Sequence, residues 1–375
     1  MLPYIITFGL SGIFCLIAED NSHKYRPRTA RLFFFLAVLV ASILAGCRDI
    51  SVGPDTISYT TYFFDHIGTN FTNFKSCFLF YTQTYEPGFV IFEYVLSRIF
   101  SDSHWMLFWA AMIIYGFSLK SILKYKNQCS VSLVWILFLA LTCTEVFNII
   151  RQYMAMAIGM YGFTYAMERK YKRFIVLIII AMSFHYGALI FIPIYYIYLY
   201  LKNKGIPILI VVGAVMALIA LPRLTGLSSM GFIGMKVERY ISDEGFQFQI
   251  NPFLIRLPFL IYILFQRRLF VNGEKEPYYQ IFERKHEGEF FVLLLIIELI
   301  FSQARGINTI LYRFTSFFVF FKFIAYSRIV CLQKGTNRIV MKTILWIYIG
   351  IIFVYWVAIV NSGIYPYTSE LLWIR

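Results

Sequence analysis

The chain has 375 residues, of which 59% are hydrophobic and only 14% are charged, and its mean hydropathy is +0.68. Soluble domains carry about 25% charged residues, so this composition excludes an ordinary soluble protein. The net charge of +14 would suit nucleic acid, but the cytoplasmic loops of membrane proteins collect lysine and arginine, so we expect no nucleic-acid partner.

Apolar runs recur along the whole chain, separated by short polar stretches. About 20 apolar residues span a bilayer as a helix, whereas barrel strands would alternate apolar and polar residues. We therefore predict an all-α polytopic transmembrane bundle of about 12 crossings, forming one integral membrane domain over residues 1–375. The run 3–18 lacks the basic start and cleavage site of a signal peptide, so we expect it to be retained. The predicted spans are 3–18, 32–47, 104–119, 130–147, 152–167, 174–184, 186–201, 206–222, 252–266, 290–304, 314–327 and 339–360.

The loops between these spans alternate in charge, and most of the 34 lysines and arginines lie in one set. The positive-inside rule assigns that set, which includes the loop 267–289, to the cytoplasm. The opposite set contains the segments 48–103 and 223–251, which we predict to be outer-face loops. Within the first, residues 86–100 are apolar but short and charged, so we expect an interfacial or re-entrant helix. For 223–251, a sugar-binding lid and an ordinary connecting loop are both open.

Single arginines interrupt the outer ends of the predicted helices, where the positive-inside rule expects few. They are Arg48, Arg151, Arg305 and Arg313. One such arginine can simply extend its side chain to the lipid headgroups. Four on one side favour an anion site, and the planar guanidinium donates paired hydrogen bonds that suit a pyrophosphate. An anion that arrives from the lipid suggests a polyprenyl pyrophosphate, and a transported anion is the alternative.

Three residues on the same side are candidates for accepting a proton. His185 stands between two apolar runs and can accept a proton near neutral pH, although a lone histidine at a helix end is more often structural. Asp55 follows a Gly-Pro turn and could instead cap the next helix. Glu86, directly before a Pro-Gly pair, has the same standing.

The six cysteines show no metal-ligand spacing, so we expect no metal site and no cofactor.

Three stretches resemble the EpsG branch of the Wzy-type polysaccharide polymerases. The first is similar to that family's Arg, Gly-x-Asp-Thr and Tyr pattern, and the second to its Arg-Gln-x-x-Ala core and Phe-His closing element. The matched positions are Arg48, Asp55, Arg151, Gln152, His185 and Arg313. The stretches are GCRDISVGPDTISYTTYF (46–63), NIIRQYMAMAIGMYGFTYAMERKYKRFIVLIIIAMSFHYGALIFIPIY (148–195) and LYRFTSFF (311–318).

The resemblance implies a metal-independent glycosyltransferase of GT-C-like fold. Such an enzyme joins undecaprenyl-pyrophosphate-linked oligosaccharides, as donor and acceptor, into O-antigen, capsule or exopolysaccharide. The reaction takes place at the outer face of the bacterial cytoplasmic membrane. A chain-length regulator is an implied partner, besides the lipid bilayer itself. An O-antigen ligase-like transferase and a flippase of lipid-linked oligosaccharide stay open as alternatives.

The residue chemistry suggests a role for each candidate residue. The four arginines would bind the pyrophosphate of the leaving group, where negative charge develops. His185, or next Asp55 and Glu86, would be the catalytic group that takes a proton from the acceptor hydroxyl. The predicted substrate-binding residues are Gln152, Tyr59 and Arg239.

Overall fold

The computed structural model describes residues 1–204, 248–272, 285–303, 312–360 and 363–374. Within these ranges the regular structure is helical, and the only β pairing is one isolated bridge between Ser369 and Ile374. The predicted all-α class is therefore confirmed for the described part of the chain. The predicted span 206–222 lies outside the described residues.

Six helices of the described ranges are long and apolar enough to cross a membrane. Two shorter apolar helices, Tyr186–Leu201 and Ile250–Phe265, accompany them. The chain is thus a multi-pass membrane protein. The six candidate spans are Leu2–His23, Pro27–Gly46, His104–Leu123, Val131–Asn148, Phe314–Cys331 and Gly335–Ile359.

The chain forms two compact units, the first made of residues 1–192 and 335–375. This unit also contains a π-helical turn, Thr60–Asp65, and a 3-10 turn, Tyr186–Ile190. Its described helices are α1 (Leu2–His23), α2 (Pro27–Gly46), α3 (Thr56–Tyr59), α4 (His66–Asn70), α5 (Phe74–Tyr81), α6 (Pro87–Ile99), α7 (His104–Leu123), α8 (Val131–Asn148), α9 (Ile150–Met167), α10 (Tyr171–Phe184) and, near its end, Gly335–Val354.

The second unit comprises residues 193–334. A 3-10 turn, Phe314–Phe318, leads into its last helix. Its described helices are α11 (Phe191–Lys204, which begins at the unit boundary), α12 (Ile250–Phe265), α13 (Arg267–Asn272), α14 (Lys285–Gln303) and α15 (Val319–Cys331); the helix Gly335–Val354 of the first unit is α16.

Close contacts between small residues and hydroxyls hold α1, α2 and α8 together. Ser11 on α1 donates to the carbonyl of Ala37 on α2 at 2.6 Å, and its oxygen accepts from the Trp135 indole of α8 at 2.9 Å. A Cβ at Gly12 would lie 2.3 Å from Ile136 Cδ1, so α1 and α8 approach at a distance that only glycine allows. Because water is absent from a bilayer core, these hydroxyl and indole groups must find such internal partners.

The lysine-rich end of the first unit is held together by two glutamates. Glu19, at the end of α1, accepts from the backbone N–H of Val131 at 2.7 Å, which lies at the start of α8. Glu168, after α9, pairs with Lys124 and Lys170, both at 2.7 Å. The ends of α1, α7 and α9 and the starts of α8 and α10 therefore meet at one end, as the alternation of loops predicts.

At the opposite end, the segment 48–103 forms only short helices. The longest, α6, has 13 residues and is about 20 Å long at 1.5 Å per residue. This length is well short of the roughly 30 Å of a bilayer core. The segment therefore lies at the end of the helices that flank it, and it brings its polar residues there.

We call residues 363–374 the C-terminal strap, because they bind along the loop that follows α2. The backbone N–H of Gly53 donates to the Gly363 carbonyl at 2.7 Å, and that of Asp49 donates to the Thr368 carbonyl at 3.1 Å. The Tyr367 hydroxyl donates to the carbonyl of Leu44 at 2.8 Å. The strap thus fixes the loop that carries Arg48 and Asp55.

Gly53 provides a test of how tightly this loop must fold. Its φ is +95°, and a Cβ there would lie 2.8 Å from Asn148 Oδ1 and 2.9 Å from Thr56 Oγ1. Gly53→Ala should lower the free energy of unfolding by at least about 1 kcal/mol and also reduce activity. The matched control is Gly68→Ala, since nothing lies within 4 Å of a Cβ at Gly68. Thermal unfolding of both variants in detergent measures the difference, and equal midpoints would contradict the prediction.

Candidate functional site

A break between two long helices places Arg151 at the end of the bundle. Helix α8 ends at Asn148, and Ile149 leaves the helical conformation with φ −96° and ψ 56°. Helix α9 then begins at Ile150, so Arg151 lies in its first turn. The side chain is 24% exposed, although two isoleucines precede it in the sequence. The break therefore allows one charged side chain to reach the surface of this end.

Arg151 contacts groups from two other elements. Its Nη1 donates to Glu86 in an ion pair, and Tyr59 lies close enough for the arginine charge to act on its hydroxyl. The ring of Tyr85 lies 4.8 Å from the guanidinium carbon, within the range of cation–π attraction. We call these four residues the Arg151 cluster. The Nε of Arg151 is buried and has no hydrogen-bond partner. Such an unmet donor costs about 1–3 kcal/mol unless a ligand or water satisfies it.

Glu86 reaches Arg151 from the start of α6. It occupies the N-cap position and makes no side-chain capping hydrogen bond with its own helix. Its side chain is 9% exposed. The partial positive charge of a helix N-terminus and the cation of Arg151 both attract the Glu86 carboxylate. The Glu86 carboxylate therefore pairs with Arg151 and does not cap α6.

His185 lies near this cluster because α6 and α10 touch. A Cβ at Gly88 would lie 2.8 Å from the backbone oxygen of Ser183, so the start of α6 and the end of α10 are in close contact. His185 ends α10, and its Nδ1 accepts from the backbone N–H of Gly187 at 3.0 Å. A neutral imidazole with Nδ1 as acceptor carries its proton on Nε2. This arrangement suits a hydrogen-bond donor or general acid better than a base.

Asp55 joins the cluster through Tyr59. It occupies the N-cap position of α3 but makes no side-chain capping bond, so capping is not the role the geometry gives it. Burial raises the pKa of Tyr59 above its usual range, the charge and hydrogen bond of Arg151 oppose that rise, and Asp55 adds to it. Arg151 and Asp55 therefore act on the pKa of the Tyr59 hydroxyl in opposite directions.

Arg48 occupies a different environment from Arg151. It is 1% exposed, and its guanidinium donates to the carbonyls of Ala45 and, at 3.2 Å, Phe147. The Phe147 ring lies 4.4 Å from the guanidinium carbon. These contacts make Arg48 a brace between the end of α2 and the end of α8. Its predicted pyrophosphate contact stays a prediction.

The other predicted residues fall into three groups. Gln152, next to Arg151 in the first turn of α9, is buried and only 3% exposed. Arg313 is exposed and belongs to the second unit, directly before the turn Phe314–Phe318. Arg239 and Arg305 lie outside the described residues, as does almost all of the proposed lid 223–251.

A model of the EpsG family matches residues 31–369 of the chain. The chain belongs to the EpsG family. Membership covers both the loop after α2 and the Arg151 cluster, and it indicates a glycosyltransferase-type polysaccharide polymerase. A search of the curated proteins and a search of the solved structures gave no significant match. The resemblance seen in the sequence is therefore confirmed at the level of the family.

In this EpsG-family protein, sequence reasoning missed two features. The first is Tyr85, which nothing in the pattern distinguishes because the chain has 28 tyrosines and 40 phenylalanines. The second feature is a buried cluster in the second unit, where Glu298 accepts from Arg256 Nε at 2.6 Å and from Lys322 Nζ at 3.0 Å. Each of these three residues interrupts an apolar run, and that signal marks an intramembrane polar site. In the described part of the chain, no group of three or more His, Cys, Asp or Glu could hold a metal ion.

The buried cluster predicts a large difference between two glutamates of α14. Glu298→Ala removes the carboxylate that Arg256 and Lys322 share, and uncovering buried cations costs about 3–5 kcal/mol. Glu289→Ala on the same helix breaks only the 3.5 Å pair with the half-exposed Arg267, a change worth about 0–1 kcal/mol. Unfolding of both purified variants in a denaturing detergent measures the two costs. Similar losses would mean that Glu298 does not organise the second unit.

Proposed function

We propose that the protein polymerises undecaprenyl-pyrophosphate-linked oligosaccharide repeat units into a surface polysaccharide. The observation that carries this proposal is the Arg151 cluster at the end of the helices, in which an arginine with an unmet buried donor pairs with the carboxylate of Glu86. Family membership supports the polymerase chemistry. We propose both the identity of the substrates and the membrane leaflet on which they react.

The reaction requires stabilisation of a lipid pyrophosphate as it leaves. The acceptor hydroxyl oxygen attacks the anomeric carbon of the donor glycan, and the bond from that carbon to the phosphate oxygen breaks. The pyrophosphate takes the bonding electrons, so negative charge grows on its bridging oxygen. Arg151 would donate hydrogen bonds to that group, and one preorganised donor in a water-poor site is worth roughly 3 kcal/mol.

The proton of the acceptor hydroxyl must pass to a nearby base. Glu86 and Asp55 are the carboxylates of the site, and ionised carboxylates accept protons in many glycosyl-transfer reactions. His185 faces the same end, and the bond from Gly187 to its Nδ1 favours a donor role from Nε2. We therefore assign proton acceptance to a carboxylate and hydrogen-bond donation to His185. This assignment revises the expectation from residue type alone, which placed His185 first.

The proposed topology has about 12 crossings in a GT-C-like bundle of the bacterial cytoplasmic membrane. The lysine-rich ends of α7, α9 and α10 would face the cytoplasm by the positive-inside rule. The Arg151 cluster, at the other end of α9, would then face the outside. No nucleotide sugar, metal or other cofactor has a place in this scheme, and a chain-length regulator is its expected protein partner.

Reconstitution of the purified protein with an undecaprenyl-pyrophosphate-linked repeat unit tests the proposal. Wild type should produce a ladder of glycan lengths on a gel without added nucleotide sugar or divalent metal. Arg151→Ala should lower the rate roughly 10²–10³-fold, since a preorganised donor is lost. Arg151→Lys should be intermediate, because lysine keeps the charge but not the planar fork. The matched control is Arg173→Ala, an exposed arginine at the lysine-rich end, which should retain the wild-type ladder.

The same vesicles separate the alternatives. Movement of the unchanged lipid-linked unit to the opposite leaflet, with no ladder, would favour a flippase. Transfer of glycan only to a different lipid acceptor would favour a ligase. A wild-type ladder from Arg151→Ala would contradict the assignment of Arg151 to the leaving group.

A further inference from the structure

Glu86 pairs with the arginine that the proposed reaction needs for the pyrophosphate. We propose that Glu86 is an internal anion: it occupies Arg151 until the donor pyrophosphate displaces it, and the released carboxylate then accepts the proton of the acceptor hydroxyl. This inference rests on the proposed function, because it concerns the same site. It joins donor binding and base activation into one event.

The geometry of the pair leaves room for a better ligand. Glu86 engages Nη1 of Arg151, while Nε stays buried without a partner. The Tyr85 ring lies 4.8 Å from the guanidinium carbon, and Tyr59 lies close enough to interact with its charge. The arginine therefore keeps its orientation when its carboxylate partner leaves. A phosphate group can use two donors of the fork at once.

Charge decides the direction of the exchange. A pyrophosphate diester carries about two negative charges, whereas Glu86 carries one, so the ligand interacts more strongly with the same cation. Once the ligand is bound, its charges repel the carboxylate, and like charges at short range in a poorly hydrated site disfavour each other by several kcal/mol. Glu86 therefore leaves Arg151 when the ligand arrives.

The start of α6 keeps the released carboxylate inside the site. Glu86 is held by its position before Pro87, and only its side chain needs to turn. The contact between Gly88 and Ser183 keeps this turn of α6 against the end of α10, next to His185. Once it is separated from Arg151, the carboxylate can accept a hydrogen bond and then the proton of the acceptor hydroxyl. The displaced Glu86 is thus available as the base, whereas the paired one is engaged by Arg151.

The proton and electron balance is complete without another reactant. The acceptor oxygen forms the new bond to the anomeric carbon and loses its proton to Glu86. The pyrophosphate leaves with the electron pair of the broken bond and stays on Arg151. When the lipid pyrophosphate dissociates, Glu86 gives its proton to water and returns to Arg151.

Binding of undecaprenyl pyrophosphate to the full-length protein in detergent tests this exchange, since that lipid carries the leaving group without glycan. Glu86→Gln should bind it roughly tenfold more tightly than wild type, because the competing charge is gone, while the glycan ladder disappears. A merely structural Glu86 predicts the opposite change in affinity, since Arg151 would lose its support. Glu86→Asp should restore an affinity close to that of wild type.

The matched control is Glu93→Gln, the same substitution two helical turns later on α6. Glu93 is fully buried, neither of its oxygens has a hydrogen-bond partner, and burial raises its pKa far above the usual range. Since Glu93 forms no hydrogen bond with Arg151, this variant should bind the lipid like wild type. Weaker binding by Glu86→Gln than by wild type would overturn the exchange. Equal binding by wild type and Arg151→Ala would instead overturn the proposed pyrophosphate site.

Discussion

A charged arginine at the end of an apolar helix needs an anion, and the ion pair between Arg151 and Glu86 supplies one. The two residues come from elements that are 65 positions apart in sequence. Their pairing ties the short helices of segment 48–103 to the first turn of α9. The same pairing leaves Nε unmet, so the protein holds Arg151 in place without satisfying it. Stability and readiness for a ligand therefore depend on one interaction.

The surrounding structure keeps that interaction in position. The C-terminal strap binds the loop after α2 through backbone hydrogen bonds from Gly53 and Asp49. Arg48 braces the same loop against Phe147, three residues before α9 begins. These bonds join the loop that presents Asp55 to the strap and to the end of α8. Distant parts of the sequence thus build one end of the first unit.

The apolar runs were enough to predict helices and membrane crossings, because burial in lipid forces backbone groups to pair within a helix. Arg151 was also visible, as a charge where charges are costly. Its partner was not, because Glu86 lies in a short helix whose packing depends on the close approach of Gly88 to Ser183. The burial of Arg48 was also not predictable, since its sequence context is that of a surface arginine although the side chain is 1% exposed. Pairing and depth follow from tertiary packing, which one sequence does not specify.

Exchange of an internal carboxylate for a lipid pyrophosphate on Arg151 can be observed in a cryo-EM structure of the protein in lipid nanodiscs with bound undecaprenyl pyrophosphate. We expect density for the diphosphate within hydrogen-bond distance of the Arg151 guanidinium, with Glu86 turned away from it. Diphosphate bound at another place, with the Arg151–Glu86 pair intact, would rule out the exchange.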